Sequence, residues 1–161
     1  NRFVMISTGQ IETFRESGGK DALARAVDVI ANGGCLGVFP EGTRSRNTEP
    51  PYLQSGKSGF ARLSATFPEV PIVPITLSLG SRDFMPPGSK LPRPWKRIEV
   101  IIDDPITFHE WVSDDEGGDL DDNAVSAIIG MGDEDRNEAL RKLFRKFTDQ
   151  LIGTLRMRGA P

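Results

Sequence analysis

Apolar residues return along this chain at two different periods. Ala22, Leu23, Ala26, Val27, Ile30 and Ala31 recur at helical spacing after Asp21, and Gly33-Gly34 end the pattern. A second helix is expected over Lys57 to Phe67, with Phe60, Ala61, Leu63 and Ala65 available for one face; Pro68 and Pro71 close it. A short helix is expected over Ala124 to Ile129, and a long one from about Asp133 to Met157. The last carries Leu140, Leu143, Phe144, Phe147, Leu151, Ile152 and Leu155 on one face, a stripe suited to packing on a core. Between these lie Cys35 to Phe39 and Ile72 to Leu79, nearly all apolar, as in strands buried on both faces. Pro74 puts the second of these near an edge or at a bulge. Arg97 to Asp103 reads as a third strand, and Gly9 to Phe14 as a short strand entering a turn. Gly80 to Lys96, with four prolines and two glycines, reads as a surface loop.

Alternation of helix and strand predicts an α/β fold: a mixed, mainly parallel sheet flanked by helices, in a single domain over 1–161. Cys35–Phe39 and Ile72–Leu79, joined by a helical crossover, are expected as parallel neighbours. A hydrophobic share of 37% with 27% charged residues fits a soluble globular class better than disorder. No apolar run approaches the roughly 18 residues of a membrane span. There is no signal-peptide pattern, and a chain that begins at Asn1 reads as one cut from a longer protein. Cys35, the only cysteine, is expected as a buried free thiol in a reducing compartment.

Charge changes this picture more than composition does. The net charge of -3 conceals thirteen Asp/Glu and no Lys/Arg between Ile98 and Asp135, against ten Asp/Glu and twenty Lys/Arg elsewhere. The acidic stretch, about 109–135, is read as a solvated surface insertion, followed by a C-terminal helix over about 135–157. The basic remainder suits an anionic partner: a phosphate ester, an anionic membrane surface or nucleic acid. No nucleic-acid-binding motif accompanies it. One histidine and one cysteine, far apart, offer no metal-ligand spacing.

Candidate chemistry gathers in the loop after Cys35–Phe39, since ligands bind at strand tips in α/β sheets. The loop reads Pro40-Glu41-Gly42-Thr43-Arg44-Ser45-Arg46. Gly42 allows a sharp turn or a close approach, Thr43 and Ser45 offer hydroxyls, and Arg44 and Arg46 offer forked donors suited to phosphate. Glu41 can hold the loop's shape through an arginine or a backbone amide. Arg15 near Gly18-Gly19, and Lys57 where the next helix begins, are further anion-binding candidates. On the residues alone, a polar surface turn remains the competing reading.

The order of blocks decides more than any one of them. Gly9-x-Ile11-x-x-x-Arg15 is followed by Gly33-Gly34, then Leu36-Gly37-Val38-Phe39-Pro40-Glu41-Gly42-Thr43-Arg44-Ser45, then Lys57-x-Gly59-x-Ala61, then Val70-Pro71-Ile72-Val73-Pro74-Ile75. This succession, over about 9–80, resembles the glycerophospholipid acyltransferase family, the PlsC-like 1-acylglycerol-3-phosphate O-acyltransferases. The resemblance implies transfer of a fatty acyl group from acyl-CoA or acyl-carrier protein to a glycerol phosphate or lysophospholipid acceptor, most commonly 1-acylglycerol 3-phosphate. It implies no bound cofactor beyond that donor. It assigns acceptor binding to Arg15, Glu41, Gly42, Thr43, Arg44, Ser45 and Lys57, and a pocket-shaping role to Val70–Ile75. It also implies a peripheral enzyme on the cytoplasmic face of a membrane. The loop Phe84 to Arg97, mixing Trp95, Leu91 and basic residues, suits an interfacial contact as well as ordinary packing.

The family's catalytic pair is a histidine and an aspartate separated by four intervening residues, the histidine acting as general base. Asn1 to Thr8 contains no histidine, so the pair is expected upstream of Asn1. His109 and Asp114 match its spacing but follow the other blocks and enter an acid-rich stretch, so they are read as a decoy. A catalytically silent phospholipid-binding module is the alternative function.

Overall fold

The computed structural model describes residues 7, 9–11, 19–42, 45, 47, 49, 52–78, 81–86, 88, 89 and 91–161. The strand expected at Gly9–Phe14 lies mostly outside them, and residues 9–11 form no strand. The chain divides into two compact units, Asn1–Val38 and Phe39–Pro161.

In the first unit, helix α1 is Lys20–Ala31. Its end follows the sequence: the amides of Gly33 and Gly34 return to the carbonyls of Ile30 and Val29, each at 2.9 Å. Residues 34–39 continue without strand pairing, so the strand expected at Cys35–Phe39 is not formed, and Cys35 is exposed, not buried. An apolar run becomes a strand only where a neighbour supplies partners for its amides and carbonyls.

The second unit holds α2 (Gly59–Thr66), β1 (Ile75–Ser78), α3 (Ser81–Phe84), β2 (Glu99–Ile102), α4 (Phe108–Ser113), α5 (Asp122–Gly130) and α6 (Asp133–Met157). Strands β1 and β2 pair antiparallel, with Ile75 opposite Ile102 and Leu77 opposite Val100. Pro74 sits just before β1, where its carbonyl accepts from the Asp103 amide at 3.0 Å. A residue without an N–H is tolerated there because it only has to accept. An isolated bridge between Ile72 and Ile106 carries the pairing past it.

Burial on both faces, expected for Ile72–Leu79, holds for one face only. Thr76 is 1% exposed, whereas the alternate residues Ile75, Leu77, Val100 and Ile102 are 53%, 42%, 54% and 67% exposed. The period of two along each strand puts these four aliphatic side chains on one face of the sheet.

Phe147, on the apolar stripe of α6, organises the core. Its ring stacks on Phe60 of α2 at 5.9 Å, and meets Phe108 and Trp111 of α4 edge-on at 5.1 and 4.7 Å. Ala61 completes the buried cluster, with Ile72, Ile106 and Leu143 packed around it. Aromatic pairs at these separations add about 0.5–1.5 kcal/mol each beyond area burial.

This core takes in the start of the acidic stretch 109–135. The acids from Asp114 to Asp122 are exposed, but Trp111, inside the stretch, is 5% exposed, as buried as Phe108 just before it. Helix α4 is short and is held by a capping box: Thr107 Oγ1 accepts from the Glu110 amide, and the Glu110 carboxylate accepts from the Thr107 amide at 2.8 Å. Trp111 Nε1 donates to Gln150 Oε1 at 2.6 Å, and Gln150 Nε2 donates to the Glu116 carbonyl at 2.6 Å. One side chain of α6 therefore holds both the core tryptophan and the acidic turn.

Candidate functional site

Of the seven sequence-predicted acceptor residues, the structure describes Glu41, Gly42, Ser45 and Lys57; Arg15, Thr43 and Arg44 lie outside the described residues. Arg46, the loop's other guanidinium, lies outside them as well. Three of the four described residues come together through backbone geometry. The Gly42 amide donates to the Phe39 carbonyl at 3.0 Å and closes a tight turn. Gly42 stands at φ 67, in the left-handed region that side-chain-bearing residues avoid. The Lys57 amide donates to the Pro40 carbonyl at 2.7 Å. That contact carries the Lys57 side chain across the turn: a Cβ at Gly42 would lie 3.3 Å from Lys57 Cγ.

Glu41 does the shaping that the sequence suggested, through a backbone amide. Its Oε2 accepts from the Gln54 N–H at 2.7 Å, thirteen residues along. A charged acceptor makes this a stronger bond than a neutral pair would. Ser45 is half-buried, and its Oγ accepts from the Asn47 amide at 3.3 Å.

Three arginines that sequence reasoning did not single out hold the rest of the loop. Arg145 of α6 donates through Nη1 to the Gly56 carbonyl at 3.0 Å, and Arg156 through Nη2 to the Leu53 carbonyl at 3.2 Å. Arg82 of α3 donates to the Asn47 carbonyl at 2.9 Å and lies 3.7 Å above the centre of the Tyr52 ring. Arg145 is itself oriented by Asp149, one turn on, which accepts from its Nε at 2.8 Å and also from Nη2. That hydrogen bond, with Arg145's charge, holds the Asp149 carboxyl below its ordinary value and raises the Arg145 guanidinium. The i, i+4 spacing of Arg145 and Asp149 was visible in the sequence. The contact with Gly56 was not.

Gly56 is the seat of this clamp. It is buried, and a Cβ there would come within 2.5 Å of Thr148 Cγ2 and 3.1 Å of Ile152 Cγ1. Only glycine lets the backbone lie this close to α6, and that closeness fixes where Lys57 begins.

His109 and Asp114 do not form a pair. His109 Nδ1 meets Glu69 Oε1 at 2.6 Å, with both side chains exposed, while Asp114 Oδ1 accepts from the amides of Glu116 and Gly117, each at 2.9 Å. Among the described residues, no group of three or more His, Cys, Asp or Glu is placed to hold a metal ion. No helix among them is long and apolar enough to cross a membrane.

Residues 2–78 match the family model described as Acyltransferase, which bears out the resemblance carried by the motif order. A chloroplastic 1-acyl-sn-glycerol-3-phosphate acyltransferase of Brassica napus is 35% identical over 86 residues. One of Arabidopsis thaliana is 37% identical over 86 residues. Those residues are 53% of this chain but only 24% and 23% of the two relatives, so the match spans about a quarter of their length. No solved structure matches the chain.

Proposed function

We propose, from the match of residues 2–78 to the Acyltransferase family model, that this chain supplies the acceptor-phosphate site of an enzyme that acylates a glycerol phosphate-type acceptor. The acceptor is 1-acylglycerol 3-phosphate, the substrate in the names of both relatives. The observation that carries this reading is the turn at Gly42, with Lys57 laid across it and Glu41 tying its base to Gln54. A lysine side chain whose stem lies against a glycine turn suits a phosphate monoester, which needs a close backbone approach and a compensating charge.

In this reading Arg15, Glu41, Gly42, Thr43, Arg44, Ser45 and Lys57 are the residues that contribute to acceptor binding. The acyl donor is acyl-CoA or acyl-carrier protein. The fold completed around this site is the mixed, mainly parallel α/β sheet expected from the sequence. Contact with a membrane surface runs through the loop that presents Leu91 and Trp95, each 75% exposed, beside Arg93, Lys96 and Arg97. Apolar, tryptophan and basic side chains together suit a headgroup region.

Acyl transfer is measured on the full-length gene product, with 1-acylglycerol 3-phosphate, glycerol 3-phosphate and a lysophosphatidylcholine as acceptors. Phosphate-monoester acceptors are expected to be preferred, and Lys57→Ala to raise the acceptor KM. No transfer to any acceptor, or a preference for the choline ester, would sink the reading.

A further inference from the structure

Segment 53–57 is tied on two sides, to the Gly42 turn and to α6. Its amides serve the turn: the Gln54 N–H donates to Glu41 Oε2 and the Lys57 N–H to the Pro40 carbonyl, each at 2.7 Å. Its carbonyls serve α6: Leu53 accepts from Arg156 Nη2 at 3.2 Å and Gly56 from Arg145 Nη1 at 3.0 Å. The Leu53 carbonyl and the Gln54 amide are the two ends of one peptide group, and so are the Gly56 carbonyl and the Lys57 amide. A trans peptide group is planar, with its C=O and N–H pointing opposite ways. Each of the two therefore acts as a rigid strut, with an arginine of α6 at one end and the turn at the other. A cation at the carbonyl also polarises the group and strengthens the bond its N–H donates. Arg145, Thr148, Ile152 and Arg156 recur at spacings of three and four residues, which puts them on one face of α6. Thr148 and Ile152 are the side chains that a Cβ at Gly56 would strike, so this face lies against the segment. Asp149 takes the Nε and Nη2 of Arg145 and leaves Nη1 for the Gly56 carbonyl. A planar guanidinium can hold both partners in one fixed geometry.

We propose that α6 belongs to the acceptor site, with Arg145 and Arg156 as positioning residues that act on the acceptor through segment 53–57. The proposal rests on the acyltransferase reading above. It adds a control from outside the matched segment, since the family match covers residues 2–78 and α6 spans Asp133–Met157. Neither arginine has to touch the phosphate. Arg145 fixes the Gly56 end of one strut, and the other end is the amide of Lys57, whose stem lies over Gly42. Arg156 fixes the second strut, whose far end is held by Glu41. Removing an arginine frees one end of a strut and lets the turn and Lys57 drift apart.

The test measures KM for 1-acylglycerol 3-phosphate and for the acyl donor in variants of the full-length protein. Arg145→Ala is expected to raise the acceptor KM by about tenfold and to leave the donor KM unchanged, because only acceptor placement is disturbed. Arg145→Lys restores part of the loss, since an ammonium can still donate to the Gly56 carbonyl. Arg156→Ala, at an exposed position, raises the acceptor KM by about threefold. Trp111→Phe controls for general loosening: it alters the core without touching the segment or the turn, and both KM values should match wild type. An acceptor KM at the wild-type value in both arginine variants would overturn the proposal. So would acceptor and donor KM rising together, or an equal acceptor KM rise in Trp111→Phe. Where circular dichroism shows that Arg145→Ala does not fold, Arg156→Ala decides alone. A wild-type protein that transfers no acyl group would overturn the acyltransferase reading, and calorimetric titration with glycerol 3-phosphate then tests the arginines separately. Weaker binding in the variants than in wild type would support their role, and equal binding or none would overturn it.

Discussion

Replacing Gly56 by alanine tests the clamp on the acceptor loop at its tightest point. The added methyl would lie 2.5 Å from Thr148 Cγ2 and 3.1 Å from Ile152 Cγ1. Neither neighbour can yield cheaply: Thr148 is 0% exposed and its Oγ1 donates to the Phe144 carbonyl at 2.7 Å, and Ile152 is 4% exposed. Forcing a methyl into a filled core costs about 1–3 kcal/mol. With a urea m-value of about 2 kcal/mol/M, the unfolding midpoint falls by about 0.5–1.5 M. A second change separates this clash from a general effect of the substitution. Thr148→Ser keeps the hydroxyl and deletes the methyl that the new Cβ would strike; alone it costs about 1 kcal/mol, as a lost buried methyl does. If the clash is the cause, Gly56→Ala/Thr148→Ser is more stable than the sum of the single effects predicts, because residues in contact are not additive. Midpoints from circular dichroism for the four proteins complete the cycle. A wild-type midpoint for Gly56→Ala, or strict additivity in the double variant, would refute the proposed packing of loop on helix.

Other predictions bear on the turn, the core and acid stability. Gly42→Ala forces φ 67 on a residue with a Cβ, costing about 1–2 kcal/mol, and presses on Lys57 Cγ; the acceptor KM should rise while the donor KM holds. Trp111→Ala should cost about 3–5 kcal/mol, and Trp111→Phe much less, since a phenyl ring keeps the contact with Phe147 and loses only the bond to Gln150. Urea unfolding of the pair checks that order, and equal losses would contradict it. Asp149→Asn removes a carboxylate held below its ordinary value of 3.8 by Arg145. Because the folded value is depressed, that contribution is complete above the unfolded value and fades as pH falls through the folded one. The variant should therefore lose no more than about 0.5 kcal/mol at neutral pH, the scale of an exposed i, i+4 pair, and match wild type in strong acid.

The sequence by itself determined the elements whose causes are local. Helical spacing and terminal glycines placed α1, and a stripe from Leu140 to Leu155 placed α6, because period and capping act within a few residues. The motif around Glu41 and Gly42 likewise marked the family and the loop, since a turn and its charges are written contiguously. Only the tertiary structure decided what holds that loop. Arg145 reaches a carbonyl 89 residues away and Arg156 one 103 residues away, and no local period encodes such partners. The same holds for the stretch after Phe108. Its charge announced a solvated surface, yet Trp111 and Phe108 are core, because burial depends on which face meets Phe147 and not on the average polarity of a segment. Cys35–Phe39 shows the converse: an apolar run states a tendency to be a strand, but hydrogen bonds to a neighbour make it one, and a neighbour is a property of the fold.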